Sequence, residues 1–271
     1  MTETTVTRRR LVLIGAGSAG LCMAIHLKKA GIEDFVILEK GTGVGGTWYH
    51  NTYPGAECDV QSHLYQFSFE QKNDWSQPYA GQKEILGYLN HCADTYDVRR
   101  HVQFGTTVET ATWDEDADLW RITTVKGEGD VETIECQVLV SCLGMFNHLK
   151  WPTIPGIEDF GGDFFHSARW DHDIDLKDKR VAVIGLAASA IQFTPEIAKE
   201  VGELVLYQRT ANWVVPKENK PHTQETLEKF CTDPSLVTKN RDEIYDVWNS
   251  LCTFTDKELL SQIEDTGMEN L

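Results

Sequence analysis

The chain has 271 residues, of which 41% are hydrophobic and 25% charged, and its formal net charge at pH 7 is −17. These values are typical of a globular protein with more than one domain. The acidic balance excludes nucleic acid and anionic lipid as partners. No stretch approaches the ~20 apolar residues of a membrane span, so we expect no membrane association and a cytoplasmic location.

The seven cysteines are spaced irregularly and form no CxxC pair. This pattern argues against a disulfide framework and against a zinc site. It predicts reduced, mostly buried thiols and no bound metal. A disulfide reductase is excluded as well, because no redox pair of the CxxxxC type follows Gly46.

The beginning of the chain predicts a strand, a glycine-rich turn, a helix and a second strand. We expect the strands at residues 10–14 and 35–39, and the helix at residues 18–30, where Gly31 ends it. A strand–helix–strand unit of this length, about 30 residues, implies parallel strands joined by a right-handed crossover.

The following stretch predicts a long loop, a helix and a group of strands. Residues 41–81 form a loop that is too long for a simple connection, so it is expected to be functional or to wrap a ligand. A helix is expected at residues 84–96. Strands are expected at residues 102–108, 119–125 and 131–140, arranged as a small antiparallel meander.

A junction at Pro152 and Pro155 is followed by a second copy of the opening pattern. Pro195 is expected to kink or shorten the helix of this copy. The predicted elements are a strand at residues 180–184, a turn at Gly185, a helix at residues 187–199 and a strand at residues 203–208.

The last part of the chain, residues 217–271, is polar, acidic and helical in pattern. Helices are expected at residues 242–251 and 256–263. The sequence as a whole therefore predicts an α/β fold. It contains two Rossmann-like dinucleotide-binding domains and a helical insert that begins at the C-terminus.

The turn after the first strand carries a GxGxxG motif at residues 15–20. Gly15 permits the tight turn, Gly17 lets a pyrophosphate approach the backbone, and Gly20 lets the helix pack closely against the strand. The helix N-terminus supplies free N–H groups and a partial positive charge. Glu39 ends the second strand and is placed to accept hydrogen bonds from ribose hydroxyls.

Two segments of the long loop, GGTW at residues 45–48 and YPGAECD at residues 53–59, resemble flavoprotein monooxygenases, and in particular the Baeyer–Villiger type. Gly-Gly-Thr-Trp at residues 45–48 resembles a segment that packs along FAD in that class. Residues 53–59, YPGAECD, resemble a family segment whose aspartate lies close to the flavin ring, and Asp59 takes that place here. Tyr65 matches a residue near the flavin. Glu57 departs from the pattern, because the family often has arginine before the cysteine.

The segment at residues 160–171 fits the Baeyer–Villiger fingerprint FxGxxxHxxxW[P/D] at every fixed position. Related flavin-dependent enzymes prefer Tyr or Phe where Trp170 stands. In the family this segment links the two nucleotide domains, which implies a hinge or orienting role for His166. A buried linker without direct chemistry is the alternative. The fixed positions are Phe160, Gly162, His166, Trp170 and Asp171.

The second turn, residues 185–190, departs from GxGxxG because Ala187 and Ala190 replace the second and third glycines. Alanine is tolerated at the third place. At the second place its methyl group would press on the pyrophosphate, although a negative φ would still allow binding. Arg209 stands where NAD-binding folds carry an acidic residue, and its guanidinium suits the 2′-phosphate of NADPH. A surface ion pair is the alternative for Arg209.

The resemblance implies two cofactors, FAD and NADPH, with Asp59 as the catalytic residue. The residues expected at FAD are Gly15, Gly17, Ser18, Ala19, Gly20, Glu39, Gly46, Thr47, Trp48, Asp59, Tyr65 and Val108. Those expected at NADPH are Gly185, Ala187, Ala188, Ser189, Ala190, Arg209 and Thr210. The implied domains are residues 1–150 for FAD, a linker at 151–175, residues 176–216 for NADP and the start of a helical insert at 217–271.

The resemblance also implies the reaction. NADPH reduces FAD, O2 forms a C4a-peroxyflavin, and oxygen is inserted into a small-molecule ketone to give an ester or lactone. Family members are longer, so we expect the chain to end inside the insert, before the family's arginine beside the flavin. We expect self-association or a second chain to supply the rest. An N- or S-oxygenase and a catalytically incomplete nucleotide-binding fragment are the alternatives.

Overall fold

A computed structural model describes residues 6–127, 129–212 and 214–269. The strands are β1 (Val6–Ile14), β2 (Phe35–Leu38), β3 (Val102–Gln103), β4 (Thr106–Asp114), β5 (Leu119–Lys126), β6 (Asp130–Ser141), β7 (Arg180–Ile184) and β8 (Glu203–Tyr207). The α-helices are α1 (Ser18–Lys29), α2 (Thr47–His50), α3 (Gln82–Thr95), α4 (Ala188–Ile197), α5 (Gln224–Thr232), α6 (Pro234–Thr253) and α7 (Lys257–Glu269).

The chain divides into two compact units. The first comprises the described residues up to His50 together with Ile85–Ile154. The second comprises Asn51–Glu84 and the described residues from Pro155 onward. Each of the two glycine-rich turns therefore belongs to a unit of its own.

The first unit is built on a six-stranded sheet with the order β3-β2-β1-β6-β5-β4. β1 pairs in parallel with β2 and with β6, so the predicted parallel arrangement of the first two strands is confirmed. All four residues of β2 are buried, as expected for a parallel strand covered on both faces. Leu21, Ala24 and Ile25 form the buried face of α1, at the spacing of one helix face.

The prediction of one strand at residues 102–108 is wrong, because the chain turns in the middle of it. Gly105 has φ +63, a conformation that glycine adopts without strain, and its N–H donates to the carbonyl of Gly41 at 3.0 Å. The residues before the turn pair in parallel with β2, whereas those after it pair antiparallel with β5. A local pattern of apolar residues cannot reveal this change of partner.

The predicted antiparallel meander is confirmed for β4, β5 and β6, but it is not a separate small sheet. β6 is 12 residues long, which is longer than predicted. Its first half pairs antiparallel with β5 while the strand also runs parallel to β1 along most of its length. The meander is thereby an extension of the dinucleotide-binding sheet, and the two share a core formed by residues such as Val12, Ile122 and Ile134.

The second unit contains the two-stranded parallel sheet of β7 and β8 together with α4. Its core consists of Val183, Ala190, Phe193 and Ile197. Pro195 lies inside α4, and the helix ends two residues later, short of the predicted end at residue 199. The helix is therefore shorter than the predicted one, but it continues past Pro195, since the Ala198 N–H donates to the Thr194 carbonyl at 3.0 Å.

The C-terminal part forms three helices where the sequence predicted two. Thr223 caps α5 by accepting a hydrogen bond from the Thr226 N–H, and this helix was not predicted. Asp233 caps α6 with Pro234 in its first turn, so α6 begins earlier than the predicted residue 242. The signals for both starts lie in capping residues, not in the apolar pattern on which the prediction relied.

Helix α6 is fastened to the loop segment at residues 61–66 of the same unit. The Arg241 guanidinium donates to the carbonyls of His63, Leu64 and Gln66 at 2.9 to 3.3 Å. The Trp248 indole donates to Gln61 Oε1 at 2.8 Å. These bonds satisfy the carbonyls of an irregular segment that has no sheet partner.

The prediction of mostly buried thiols is only partly correct. Cys58, Cys92 and Cys136 are buried, whereas Cys231 and Cys252 are exposed on the C-terminal helices. All seven cysteines are free, and no group of acidic, histidine or cysteine side chains suited to a metal ion occurs among the described residues. Over the same residues, every helix is too short or too polar to cross a bilayer.

Candidate functional site

The first glycine turn is shaped by contacts that leave no room for side chains. Gly15 has φ +102, and its N–H donates to the Leu38 carbonyl of β2 at 2.8 Å. A Cβ at Gly20 would lie 2.0 Å from the Gly15 carbonyl oxygen, so only glycine lets α1 start there. The first turn of α1 contains no acidic residue, and its N-terminus therefore suits an anion.

Glu39 follows β2 directly and lies beside this turn. Its carboxylate accepts hydrogen bonds from the Ala16 N–H at 2.8 Å and from the Gly41 N–H at 2.7 Å, one on each oxygen. The side chain is buried. Each carboxylate oxygen can accept a second hydrogen bond, so the geometry leaves acceptor capacity for ribose hydroxyls at the place where the sequence predicted it.

The Gly-Gly-Thr-Trp segment packs onto the glycine turn. The Gly45 N–H donates to the Ala16 carbonyl at 2.9 Å, and Gly46, with φ +56, lies against the backbone of Gly17. A Cβ at Gly46 would lie 2.9 Å from the Gly17 Cα. Because Gly17 has no side chain, its backbone leaves room for this loop contact as well as for a pyrophosphate. Helix α2 begins directly afterwards at Thr47, with Trp48 buried.

Val108 lies on β4 of the same unit and packs against the core of the sheet. The register between β4 and β5 shifts between Val108 and Thr110, which marks a β-bulge. Bulges re-aim the backbone locally and occur often beside ligand sites. Nothing in the described contacts joins Val108 to the glycine turn.

The second glycine turn repeats the first in its backbone geometry. Gly185 has φ +93, and its N–H donates to the Tyr207 carbonyl of β8 at 2.8 Å. Ala187 precedes α4 with φ −93 and ψ −177, close to the values of −77 and −169 at Gly17. This extended conformation is open to any residue, so alanine costs no backbone strain there. Ala187 and Ala188 are exposed, whereas Ala190 is buried in the helix core.

The register of the two turns corrects the position assigned to Arg209. Leu38 and Tyr207 are equivalent, because each accepts the hydrogen bond of the first glycine. Gln208 therefore occupies the place of Glu39, and Arg209 lies one residue further, followed by Thr210. Arg209 is exposed and forms no ion pair within the part of the chain that the structure describes. A neutral residue followed by a free guanidinium suits a nucleotide with an extra phosphate.

The fingerprint segment belongs to the second unit and is tied to its core by Trp170. The indole contacts Phe193 of α4, with ring centroids 5.2 Å apart, and Phe165 at 5.1 Å. His166 Nδ1 accepts a hydrogen bond from the Ala168 N–H at 3.1 Å and so caps a single 3-10 turn. Burial lowers the pKa of His166, with a further contribution from the Arg169 charge.

The remaining fingerprint residues shape the segment. The Phe160 ring packs against Gly162, where a Cβ would lie 2.8 Å from it. Asp171 Oδ1 accepts a hydrogen bond from the Asp173 N–H at 3.0 Å and closes a local turn. Phe160 is exposed, whereas Asp171 is half-buried. The described contacts give these residues turn-forming and packing roles. The orienting role that the sequence predicted for His166 stays a prediction.

The YPGAECD loop lies directly on α4 within the second unit. Gly55 has φ +75, and a Cβ there would lie 2.8 Å from the Gln192 carbonyl oxygen. The Tyr53 hydroxyl donates to Gln192 Oε1 at 2.9 Å and also contacts Ser189 in the first turn of α4. Burial raises the pKa of Tyr53. The loop is therefore bound to α4 through Gln192 and Ser189.

Asp59 ends this loop and is bound on two sides. Its Oδ1 accepts hydrogen bonds from Gln192 Nε2 at 3.2 Å and from Lys217 Nζ at 3.2 Å. Lys217 also forms an ion pair with Glu57. Burial acts to lower the pKa of Lys217, but the hydrogen bonds and charges of Glu57 and Asp59 prevail, and the pKa is raised.

Cys58 and Tyr65, which are close to Asp59 in the sequence, have surroundings different from those of Asp59. Burial raises the pKa of the Cys58 thiol to about 11, so this cysteine is not a nucleophile at neutral pH. Tyr65 is 36% exposed, and its N–H donates to the Gln61 carbonyl at 2.9 Å.

Lys217 and Asn219 are site residues that sequence reasoning missed. Asn219 Nδ2 donates to Glu57 Oε2 at 2.8 Å and to the Tyr79 carbonyl at 3.0 Å, and its Oδ1 accepts from the Tyr79 N–H. The only sequence signal was an acidic Glu57 where the family often has a basic residue. That substitution predicts a basic partner elsewhere but cannot locate it.

The comparisons with known proteins agree with this geometry. The sequence pattern of the family described as pyridine nucleotide-disulphide oxidoreductase matches residues 12–250, and the chain belongs to that family. A Baeyer-Villiger monooxygenase of Streptomyces coelicolor is 47% identical over 211 residues, which are 78% of this chain and 40% of that protein. The resemblance to the Baeyer–Villiger type is thereby confirmed.

Solved structures give the same result. A cyclohexanone monooxygenase from Rhodococcus sp. Phi1, bound to NADP+, has a TM-score of 0.77 at 36% identity, covering 87% of this chain and 44% of that one. A protein called OTEMO, in complex with FAD and NADP, has a TM-score of 0.74 at 36% identity, covering 83% and 44%. The predicted α/β fold is confirmed. The chain spans less than half the length of these proteins.

Proposed function

We propose that this chain is part of an FAD- and NADPH-dependent monooxygenase of the Baeyer–Villiger type. The enzyme would insert one oxygen atom of O2 into a small-molecule ketone and give an ester or lactone. The observation that carries the proposal is the complete fingerprint at residues 160–171, whose Trp170 packs into the core of the unit with the second glycine turn. The similarity to monooxygenases solved with FAD and NADP supports it.

The first unit fits FAD. The N-terminus of α1, free of acidic residues, would face the pyrophosphate, with Ser18 and Ala19 in its first turn. Glu39 would accept hydrogen bonds from the ribose, while Gly46, Thr47 and Trp48 would line the cofactor beside the turn. When bound and reduced, the flavin supplies the oxygen chemistry, and the protein's part is binding and orientation.

The second unit fits NADPH. Ala187 has the backbone conformation of Gly17, so the pyrophosphate can approach the N-terminus of α4 along the same direction. Ser189 and Ala190 belong to the first turn of that helix. Arg209, exposed and without an ion pair among the described residues, would bind the 2′-phosphate, and Thr210 would assist it.

Asp59 is the residue to which we assign a catalytic role. Its side chain is 61% exposed although Gln192 and Lys217 hold one of its oxygens. A carboxylate that is fixed but accessible can orient a cofactor or stabilise a developing positive charge. The division into an FAD-binding part (residues 1–150), a linker (151–175), an NADP-binding part (176–216) and a helical insert remains our proposal for the functional organisation.

We further propose a cytoplasmic location, which the free cysteines support. We also propose that the sheet of the second unit pairs with strands of a second chain or a second copy. Ile184, Leu206 and Tyr207 are 43 to 58% exposed on this two-stranded sheet. Exposed apolar strands with unpaired edges favour association. Size-exclusion chromatography with light scattering would measure this directly.

The cofactor test uses the purified chain with added FAD. We expect visible flavin absorbance with about one FAD per chain after removal of free cofactor, and bleaching of that absorbance by NADPH without oxygen. Cyclohexanone then serves as a probe ketone, with ester or lactone formation followed in air. A chain that stays colourless in excess FAD, or that binds FAD but is not reduced by NADPH, would contradict the proposal for this chain.

A further inference from the structure

The Lys217 ammonium lies in a site formed by two carboxylates, one carbonyl and one aromatic ring. It bonds to Glu57, lies 3.2 Å from Asp59 Oδ1 and 3.4 Å from the Cys58 carbonyl, and sits 5.1 Å from the centroid of the Tyr79 ring. Its side chain is only 26% exposed. Lysine is seldom withdrawn from water in this way unless its charge is paired.

Glu57 and Asp59 are two like charges separated by one residue. Without a cation between them, their repulsion would turn the more exposed Asp59 towards water. Lys217 contacts both carboxylates at once. It therefore removes the repulsion and leaves Asp59 in one orientation.

Gln192 binds Asp59 from the side of α4. Its Nε2 donates to the Glu57 carbonyl at 3.0 Å as well as to Asp59 Oδ1, and its Oε1 accepts from Tyr53. Both donors thus converge on one oxygen of Asp59. The orientation of this carboxylate is defined jointly by the helix of the second nucleotide turn and by the Lys217 segment.

The docking of the Lys217 segment does not itself require the lysine charge. Asn219, two residues later, makes a pair of hydrogen bonds with the backbone of Tyr79 and a third with Glu57. The two bonds to the Tyr79 backbone are neutral and hold the segment in place without the lysine charge. The Lys217 ammonium is then available to bind the two carboxylates. Its effect on Asp59 can therefore be distinguished from a role in docking the segment.

We propose that Lys217 is a positioning residue for Asp59. The inference rests on the proposed function: Lys217 holds the Asp59 carboxylate against Gln192 and thereby sets the rate at which bound FAD is reduced by NADPH. In that reduction NADPH gives up a hydride and becomes NADP+, and the flavin gains the hydride and one proton from solvent. Lys217 does not exchange a proton in this step.

The first test needs no cofactor. The chain is labelled with a water-soluble carbodiimide and an amine, and modification of Asp59 is measured by mass spectrometry relative to the exposed Asp163. In Lys217→Gln we expect Asp59 to be modified about threefold faster, as for loss of a partly exposed ion pair. Lys217→Arg should restore the slow rate. The control is Lys220→Gln, because the Lys220 side chain is 87% exposed and its ammonium pairs with the equally exposed Glu218 at 3.5 Å.

The second test uses the chain loaded with FAD. We expect Lys217→Gln to bind FAD and NADP+ as the original chain does, to slow flavin reduction by about tenfold, and to shift the visible spectrum of the bound flavin. Lys217→Arg should recover most of the rate. Equal labelling of Asp59 in Lys217→Gln and the original chain overturns the inference, and so does an arginine variant no better than the glutamine variant.

The two proposals fail separately. A chain that takes up no FAD contradicts the proposed function for this chain, while the labelling experiment still decides whether Lys217 fixes Asp59. If Lys217→Gln takes up FAD normally, is reduced at the normal rate and shows unchanged labelling of Asp59, the proposed function stands and Lys217 has no part in it.

Discussion

Protonation of His63 should loosen the attachment of helix α6 in mild acid. The imidazole is 4% exposed, and its ring lies edge-on to Phe230 at 4.6 Å and stacks with His222 at 6.5 Å. Its Nδ1 contacts Asn240 Nδ2 at 3.2 Å, and its buried Nε2 has no hydrogen-bond partner among the described residues. Burial, with a smaller effect of His222, lowers the pKa of His63 from 6.5 to about 4.

The sign and size of the change in stability follow from the lowered pKa of His63. The unfolded chain binds a proton at a higher pH than the folded chain, so His63 costs no stability above its ordinary pKa, and stability falls as the pH drops from 6.5 towards 4. Each pKa unit corresponds to ~1.36 kcal/mol, so the full effect is about 3 kcal/mol. At about pH 5 the free energy of unfolding should be lower by about 2 kcal/mol than at about pH 7.5.

The variant His63→Phe keeps a ring of similar shape but cannot be protonated. It loses the contact with Asn240, which should cost about 1 kcal/mol at neutral pH. At about pH 5 the variant should be the more stable chain by about 1 kcal/mol, because the original pays the protonation cost. The two stability curves should therefore cross between these pH values.

The assay combines urea denaturation with amide hydrogen exchange. Exchange in peptides covering residues 61–66 and 234–253 would show that the loss is located where α6 meets the loop. His148→Gln, at an exposed histidine of the other unit, is the control for replacing a histidine. Parallel curves for His63→Phe and the original chain, with no crossing, would refute the assignment of acid sensitivity to His63.

Three further substitutions test the first glycine turn, a glycine inside helix α3 and the residue assigned to the second nucleotide. Gly20→Ala would bring a Cβ to 2.0 Å from the Gly15 carbonyl oxygen, and we expect a loss of ~1–3 kcal/mol and of FAD uptake. Gly87→Ala, at an exposed helical glycine with nothing within 4 Å of the added atom, should stabilise the chain by about 0.5–1 kcal/mol in thermal unfolding. Arg209→Gln should weaken NADP+ binding by about tenfold and leave NAD+ binding unchanged in calorimetry; an equal loss for both nucleotides would argue against a 2′-phosphate contact.

The elements with a strong local cause were predictable. The first turn requires glycine at position 20, and the sequence alone carries that requirement because a Cβ there would meet the carbonyl oxygen of the nearby Gly15. The same holds for β7, whose bounds match the prediction. By contrast, the turn at Gly105 inside a predicted strand depends on a hydrogen bond to Gly41, far away in sequence.

The features of the candidate site also fall into two groups, those that the sequence predicts and those that only the folded structure reveals. The sequence by itself determined the two glycine turns and the fingerprint, because these motifs are contiguous and their spacing is visible in one dimension. The assignment of Asp59 came from the family resemblance and stays a prediction. Only the tertiary structure decided that Gln208 is the counterpart of Glu39 and that Lys217 joins Glu57 to Asp59. The contacts of Lys217 with Glu57 and Asp59 span about 160 residues of chain, and folding brings these residues together through packing and hydrogen bonds that no local pattern records.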